Sequence, residues 1–500
     1  MEITATIAGR LESLRDAESS EVDFCHWIEV RGDLLTDEDL FAIRLRFPLA
    51  TLLYSLPVKE EAGRQAQIRK AAEVCDLIAL DAERDLSPAL LESISPERRV
   101  IAWRGTVHSA AELEAYFGTH SRTPARLYRY EVECAGIEDG LIPLQFLRSI
   151  GRNDVTAYAV GESGNWTHIL ASRLGAPVIF GVIGSSRNGG GSASTVSELI
   201  SDYGFPAMEP ICETFAILGH PVSGSLSPRL HNAAYRAAGA GRLFLSFPAA
   251  DFRAFWERFV ASGVMEALGF PIMGLTIASP HKEAALEVAE EVDPLCRSCQ
   301  ASNLLVRKGG YWRASTTDPD GIFQNSTLGR RHSSGTKVAV IGCGGSGRIA
   351  AAALSQSGAE VVLVNRGQDR GQWASSLLGL PFVNLEAFSA RGYGAIVNAT
   401  PVGRKGERLP IDLSQLAPGA TVIDLVYSRS GPTPLVLRAA ALGHRTVEGR
   451  QVLLAQTRRQ YYLMTGETMS TELGRRVLGL PVSGEDAFHD FEEDHAYASV

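Results

Sequence analysis

Short runs of apolar and β-branched residues alternate with amphipathic stretches from residue 20 to about 205. The runs are ATLLYSL (50–56), CDLIALD (75–81), RVIAW (99–103), ARLYRYEV (125–132), VTAYAV (155–160) and APVIFGVIG (176–184). Between them EAGRQAQIRKAAEV and SAAELEAYFGTH carry the spacing of helices with one buried face. Strands alternating with helices predict a parallel α/β arrangement, and roughly six to eight such units over this length suit a (β/α)8 barrel. A doubly wound sheet would satisfy the same periodicity.

The pattern is then punctuated. A Gly/Ser-rich loop, GSSRNGGGSASTVSEL (184–199), and a linker, DYGFPAMEPICET (202–214), close the first region. A strand, TFAILG, opens a second α/β region, and RRHSSGT (330–336) precedes the strand KVAVIG (337–342). This predicts an α/β protein: a barrel over 1–208, a smaller α/β domain over 213–325, a Rossmann domain over 326–440, and helices over 441–482 that return to the second domain. An acidic tail, 483–500, follows.

Composition narrows the function classes. A net charge of -9 offers no basic footprint for nucleic acid or an anionic membrane. The amino terminus lacks a basic, apolar signal, and no run approaches the ~18 uncharged apolar residues of a membrane helix. The expectation is a cytoplasmic protein acting on a small molecule. Seven scattered cysteines read as reduced thiols, and Cys296-x-x-Cys299 lacks the second pair that a metal site would need. Only six of the 48 basic residues are lysines, so each lysine carries more information than usual.

The strongest local signal is KVAVIGCGGSGRIAAAAL. A strand leads into Gly342-x-Gly344-Gly345-x-Gly347 and then an alanine-rich helix, the context in which such glycines let a backbone approach a pyrophosphate at a helix amino terminus. The next strand ends at Asn365-Arg366, where an NAD site would carry an acidic residue for the ribose hydroxyls. A guanidinium there suits a 2′-phosphate, with Arg370 as a second contact, so NADP is the expected cofactor.

The segment AILGHPVSGSLSPRLHNAAYRAAG resembles the substrate loop of shikimate dehydrogenases, and other segments follow in that family's order. The resemblance implies that Ser225 and Ser227 hold a substrate carboxylate, and that Lys282, in GLTIASPHKEAALEV, is catalytic with Asp318 of STTDPDG as its partner. It places Thr276, Asn303, Tyr427 and Gln456 on the substrate, and Asn398 and Thr400 of VNATPVG on the cofactor side. Oxidising a ring alcohol requires removing a hydroxyl proton as hydride leaves, and a positioned lysine suits that task. Departures fall at Thr276, where the family has Asn or Ser, at Ala278 and Thr316 for Thr and Asn, and at Gly367 and Gln451. They bear on substrate identity, quinate included, more than on reaction type.

Residues 20–205 resemble type I 3-dehydroquinate dehydratase more weakly, through Glu29-x-Arg31-x-Asp33, Glu61 and GESGNWTHILASRLGAPVIFGVIG. That family forms an imine with a strand lysine and uses a histidine as acid and base. Here Arg129 stands at the lysine and Arg104 at the histidine, Pro57 replaces an arginine, Thr167-His168 replaces Ser-Arg, and GGGSAS replaces the lid. A guanidinium stays protonated and cannot attack a ketone. The expectation is a dehydrogenase fused to an inactive dehydratase-like barrel. A working bifunctional enzyme and a non-catalytic sensor of shikimate or NADP are the alternatives.

If Arg366 reads the 2′-phosphate, Arg366→Asp weakens NADP binding far more than NAD binding. A charge-assisted phosphate contact contributes roughly 1.5–3 kcal/mol, about ten- to a hundredfold in affinity. Titration with both cofactors decides this, and equal losses would make Arg366 a solvated strand end.

Overall fold

The computed structural model describes residues 3–57, 63–184, 194–222, 224–326, 328, 334–429 and 431–482. Lys59, Glu61, most of GGGSAS and the acidic tail lie outside them. The chain forms two compact units, Met1–Thr316 and Thr317–Val500. Among the described residues no helix is long and apolar enough to cross a membrane.

The first unit opens with eight parallel strands: β1 (Thr6–Leu11), β2 (Trp27–Arg31), β3 (Thr51–Ser55), β4 (Leu77–Asp81), β5 (Arg99–Gly105), β6 (Leu127–Glu133), β7 (Val155–Val160) and β8 (Val178–Val182). Their order is β7-β6-β5-β4-β3-β2-β1-β8, each chain neighbour except β8 lying beside its predecessor, as a (β/α)8 barrel requires. At the seam between β7 and β8, the Thr156 hydroxyl donates to the Val178 carbonyl at 3.1 Å. An antiparallel pairing of Ile3–Thr4 with Ala207–Met208 ties the start of the barrel to its end.

The apolar runs reveal neither β1 nor β2. In β1, Gly9 and Arg10 interrupt the run, and both have tertiary reasons. A Cβ on Gly9 would lie 2.3 Å from the Cys25 sulfur and 2.6 Å from the Ile183 side chain, so only glycine fits. Arg10 engages Glu29 on the neighbouring strand β2.

The same unit continues with β9 (Glu213–Gly219), β10 (Arg242–Pro248), β11 (Ile272–Ile277), β12 (Glu291–Val292), β13 (Leu304–Lys308) and β14 (Tyr311–Ser315). They form a mixed sheet in the order β10-β9-β11-β13-β14-β12, parallel through β10, β9 and β11. Cys296 and Cys299 are buried free thiols on the helix Pro294–Cys299. The apolar core runs without a break from the barrel into this sheet. Trp166 of the barrel meets Phe247 edge-on at 5.2 Å and Phe259 at 5.5 Å.

The second unit is built on β15 (Lys337–Ile341), β16 (Glu360–Asn365), β17 (Phe382–Asn384), β18 (Ala395–Asn398), β19 (Thr421–Asp424) and β20 (Arg445–Val447). All pair in parallel in the order β17-β16-β15-β18-β19-β20, the doubly wound topology whose chain direction switches beside β15. The long helix Gly449–Thr465 packs on the short helix Asp318–Phe323 that opens the unit.

Candidate active site

Within the first unit, β9 runs into a loop and then the helix Ser227–Ala237. Ser225 and Ser227 are both buried at this helix start, and the Ser227 amide donates to the Ser225 hydroxyl oxygen at 3.2 Å. Two hydroxyls and a helix amino terminus converge there, a setting suited to a carboxylate. Thr276 stands near the end of β11, opposite Ile217 of β9 and Leu304 of β13. The backbone gathers the other residues. The Ile277 amide donates to the Asn303 carbonyl at 2.7 Å, and the Ser302 amide to the Lys282 carbonyl at 2.8 Å. These bonds bring the backbone around Thr276, Lys282 and Asn303 together. The Lys282 side chain is half-buried, while its neighbour His281 is buried with its ring Nε2 at 2.7 Å from the Ala249 carbonyl.

In the second unit the Gln456 side-chain amide donates to the Asp318 carboxylate at 3.0 Å. Residues 138 positions apart in sequence are thus brought into contact. One turn further on, Gln460 donates to the Thr317 hydroxyl at 3.1 Å. The spacing of the two glutamines would have revealed this second grip, since positions four apart share a helix face. The two helices approach closely: a Cβ on Gly321 would lie 2.6 Å from the Val452 side chain. Tyr427 is half-buried in the segment after β19. Gly449 holds that segment, since a Cβ there would lie 2.1 Å from the Val426 carbonyl oxygen.

The glycine-rich turn divides its labour. Gly342 has φ +104°, which favours glycine. A Cβ on Gly347 would fall 1.8 Å from the Gly342 carbonyl oxygen, so the helix Gly345–Gln356 can start only on a glycine there. At Gly344 a Cβ would meet open space, which leaves the helix amino terminus approachable by a pyrophosphate. Asn365 braces the turn, its side chain accepting from the Cys343 amide at 3.3 Å and donating to the Gly367 carbonyl at 2.8 Å. Arg366 and Arg370 are exposed just beyond β16, and the Arg370 Nε donates to the Cys343 carbonyl at 3.2 Å. These residues fit a phosphorylated dinucleotide. Asn398 is buried and organises its own loop, donating to Val402 and Asp424 and accepting from the Thr400 amide and hydroxyl. Burial raises the Asp424 carboxyl pKa, against the pull of the Thr433 hydroxyl, the Val426 amide and Asn398.

Residues 217–305 match the shikimate dehydrogenase substrate binding domain. A shikimate dehydrogenase (NADP(+)) of Citrifermentans bemidjiense is 34% identical over 265 residues, 50% of this chain and 89% of that protein. The chain belongs to the shikimate dehydrogenase family. The corresponding Caulobacter vibrioides protein is 35% identical over 285 residues, 54% of this chain and 95% of its own length. The similarity also extends into the barrel: a chloroplastic bifunctional 3-dehydroquinate dehydratase/shikimate dehydrogenase of Arabidopsis thaliana is 27% identical over 490 residues, 90% of this chain and 79% of that protein. Among solved structures, a Thermus thermophilus shikimate dehydrogenase with NADP(H) and shikimate covers 53% of this chain and 98% of its own, at 29% identity and a TM-score of 0.47.

Inside the barrel of this family member, Arg129 is buried in a network of charges. Its Nη1 bonds Glu29 at 2.7 Å, its Nη2 pairs with Glu131, and its Nε donates to the Tyr158 hydroxyl at 2.8 Å. Arg10 bonds the other oxygen of Glu29 at 2.9 Å, and Tyr158 donates to Glu131 at 2.7 Å. The guanidinium also lies 3.8 Å above the Phe180 ring centroid. Burial pushes the carboxyl pKa values of Glu29 and Glu131 up, but the two arginines outweigh it and hold both low. Burial likewise opposes the Arg129 charge, and Glu131 and Glu29 more than restore it. The sequence comparison located Arg129 but not Arg10, Glu131 or Tyr158. Arg104 is largely exposed and pairs with Glu133 at 3.0 Å. Lys70 is also exposed, paired with Asp37.

His168 lies with its ring centroid 3.9 Å from that of Tyr158, tilted by 41°, and is buried with no hydrogen-bond partner for its Nδ1. Burial lowers its pKa from 6.5 to about 4, so the ring stays neutral near pH 7. Between these values the unfolded chain binds the extra proton, so stability falls as pH drops through 6.5 and stops falling near 4. That contribution is about 2–4 kcal/mol. His168→Phe should flatten the stability profile in this window, leaving the smaller slope from His120, whose pKa is also lowered by burial. Denaturant unfolding across pH values checks it, and an unchanged slope would show that the His168 ring is hydrated.

Proposed function

We infer that the chain from about residue 213 onward catalyses the reversible NADP-dependent reduction of 3-dehydroshikimate to shikimate. The observation carrying this reading is the 34% identity over 89% of a shikimate dehydrogenase (NADP(+)), together with the segments around Lys282 and Asp318 that resemble the family's. Ser225 and Ser227 would hold the substrate carboxylate at their helix start, with Thr276, Asn303, Tyr427 and Gln456 on the remaining polar groups. The glycine turn would cradle the pyrophosphate, Arg366 and Arg370 the 2′-phosphate, and Asn398 and Thr400 the cofactor-side loop. NADPH, when bound, supplies the hydride.

Reduction of the ketone also requires a proton on its oxygen. The Lys282 ammonium delivers it, and in the reverse direction the amine accepts it from the alcohol. Asp318 orients the reacting hydroxyl, and Gln456 fixes the Asp318 carboxylate through the 3.0 Å hydrogen bond. An ammonium and a carboxylate that are each held in place before the transfer cost no reorganisation during it. The seven free cysteines accord with work in a reducing compartment such as the cytoplasm.

The barrel is proposed not to dehydrate 3-dehydroquinate through an imine. Arg129 occupies the position of the imine-forming lysine and is committed to two carboxylates and a tyrosine. Such a network neutralises its own charge and offers no amine to form an imine.

Two measurements test these readings. NADPH absorbance should fall steadily with 3-dehydroshikimate, more efficiently than with 3-dehydroquinate, and Lys282→Ala should lower kcat by about 10² to 10⁴ with cofactor affinity retained. A Lys282→Ala protein with most of its kcat would refute the assignment. Borohydride treatment with 3-dehydroquinate should leave the intact mass unchanged. An adduct on Lys59 or Lys70, with dehydration lost on mutating that lysine, would restore the bifunctional reading.

A further inference from the structure

The barrel retains a tight, polar and specific attachment to one element of the dehydrogenase half, the helix Ser227–Ala237. Its last helix, Val196–Tyr203, packs directly against that element. Asp202, buried near the end of the barrel helix, accepts from the Arg229 Nε at 2.6 Å. The Arg229 Nη2 donates to the Ser201 hydroxyl at 3.1 Å, and that hydroxyl donates to Asp202 at 2.7 Å. The Asn232 side-chain amide donates both to the Asp202 carbonyl and to the Phe244 carbonyl, each at 2.9 Å, and its oxygen accepts from the Phe244 amide at 2.7 Å. Asn232 therefore bolts the barrel helix to the strand β10. Arg236 donates to the Ser201 carbonyl at 3.2 Å, and Gly204 leaves room for it, since a Cβ there would lie 2.9 Å from the Arg236 side chain.

Three residues one turn apart on the helix, Arg229, Asn232 and Arg236, thus face the barrel. The amino terminus of the same helix carries Ser225 and Ser227. Arg229 lies only two residues beyond Ser227. A shift of the helix along its axis would move both hydroxyls with it, because a helix transmits displacement as a rigid rod over so short a distance.

We propose that the barrel is a brace for the dehydrogenase, with Asp202 as a positioning residue that sets the helix Ser227–Ala237 and hence the carboxylate-holding hydroxyls. This role rests on the proposed function for its substrate, and it gives the barrel a use that needs no chemistry of its own. Displacing a binding group by ~1 Å can cost on the order of 10² in rate, so even partial loosening is measurable.

The test uses the full-length protein. Asp202→Ala should raise the KM for 3-dehydroshikimate on the order of tenfold, while the KM for NADPH stays within about twofold. Asp202→Asn, which keeps an acceptor for Arg229, should recover most of the loss. Hydrogen exchange of amides in 229–237 should accelerate in Asp202→Ala without comparable change across the Rossmann strands. Arg229→Gln, made from the opposite side, serves if Asp202→Ala does not fold. A lower melting temperature with unchanged KM and unchanged exchange in this helix would overturn the brace. A wild-type protein inert toward 3-dehydroshikimate would instead overturn the proposed function, while the exchange measurement would still decide whether the helix depends on Asp202.

Discussion

Trp166 reaches out of the barrel and sets its indole edge-on against Phe247 and Phe259, and the architecture of the first unit depends on that contact. Phe247 lies on β10 of the substrate-domain sheet, so a barrel side chain becomes part of another domain's core. Burying large aromatic groups across such a junction removes the water that two separable domains would keep between them. The polar contacts of Asp202, Arg229 and Asn232 sit beside this apolar seam and give it a fixed register. Hydrophobic burial supplies the attraction, and the directional bonds choose one arrangement.

The interior of the barrel holds a closed network of charges. An imine-forming site needs an amine that can shed its proton, and that requires a poorly compensated positive charge. Here Arg10 and Arg129 face Glu29 and Glu131, two positive groups against two negative ones. Each carboxylate is held in its charged form, which favours a closed and static network over a reactive one. A buried network of this kind is weak evidence for stability, but losing one member would strand its partner at a cost of about 3–5 kcal/mol. Its persistence therefore follows from mutual dependence as readily as from catalysis.

The dehydrogenase half was legible because its chemistry is written in short local segments. The turn Gly342-x-Gly344-Gly345-x-Gly347 needs its glycines for reasons that two adjoining elements supply, and the Lys282 and Asp318 motifs are equally compact. Periodicity also found most barrel strands, since parallel strands buried on both faces read as continuous apolar runs. It passed over Thr6–Leu11, whose glycine and arginine are explained only by Cys25, Ile183 and Glu29. Arg10, Glu131 and Tyr158 went unnoticed for the same reason. A charged residue in a strand reads as solvent-facing until its counter-charge is known.

By itself, then, the sequence determined the order of the domains, the dinucleotide turn and the absence of any lysine between Lys70 and Lys282, because each can be read from residue type along the chain. Tertiary structure alone decided that Gln456 grips Asp318 and that Arg129 is held between the Glu29 and Glu131 carboxylates and the Tyr158 hydroxyl. It also decided that the barrel clasps the helix Ser227–Ala237 through Asp202. Apart from Arg129–Glu131 on a single strand, those contacts join residues 27 to 138 positions apart, and hydrogen-bond geometry acts over about 3 Å of space, a distance that no spacing along the chain encodes.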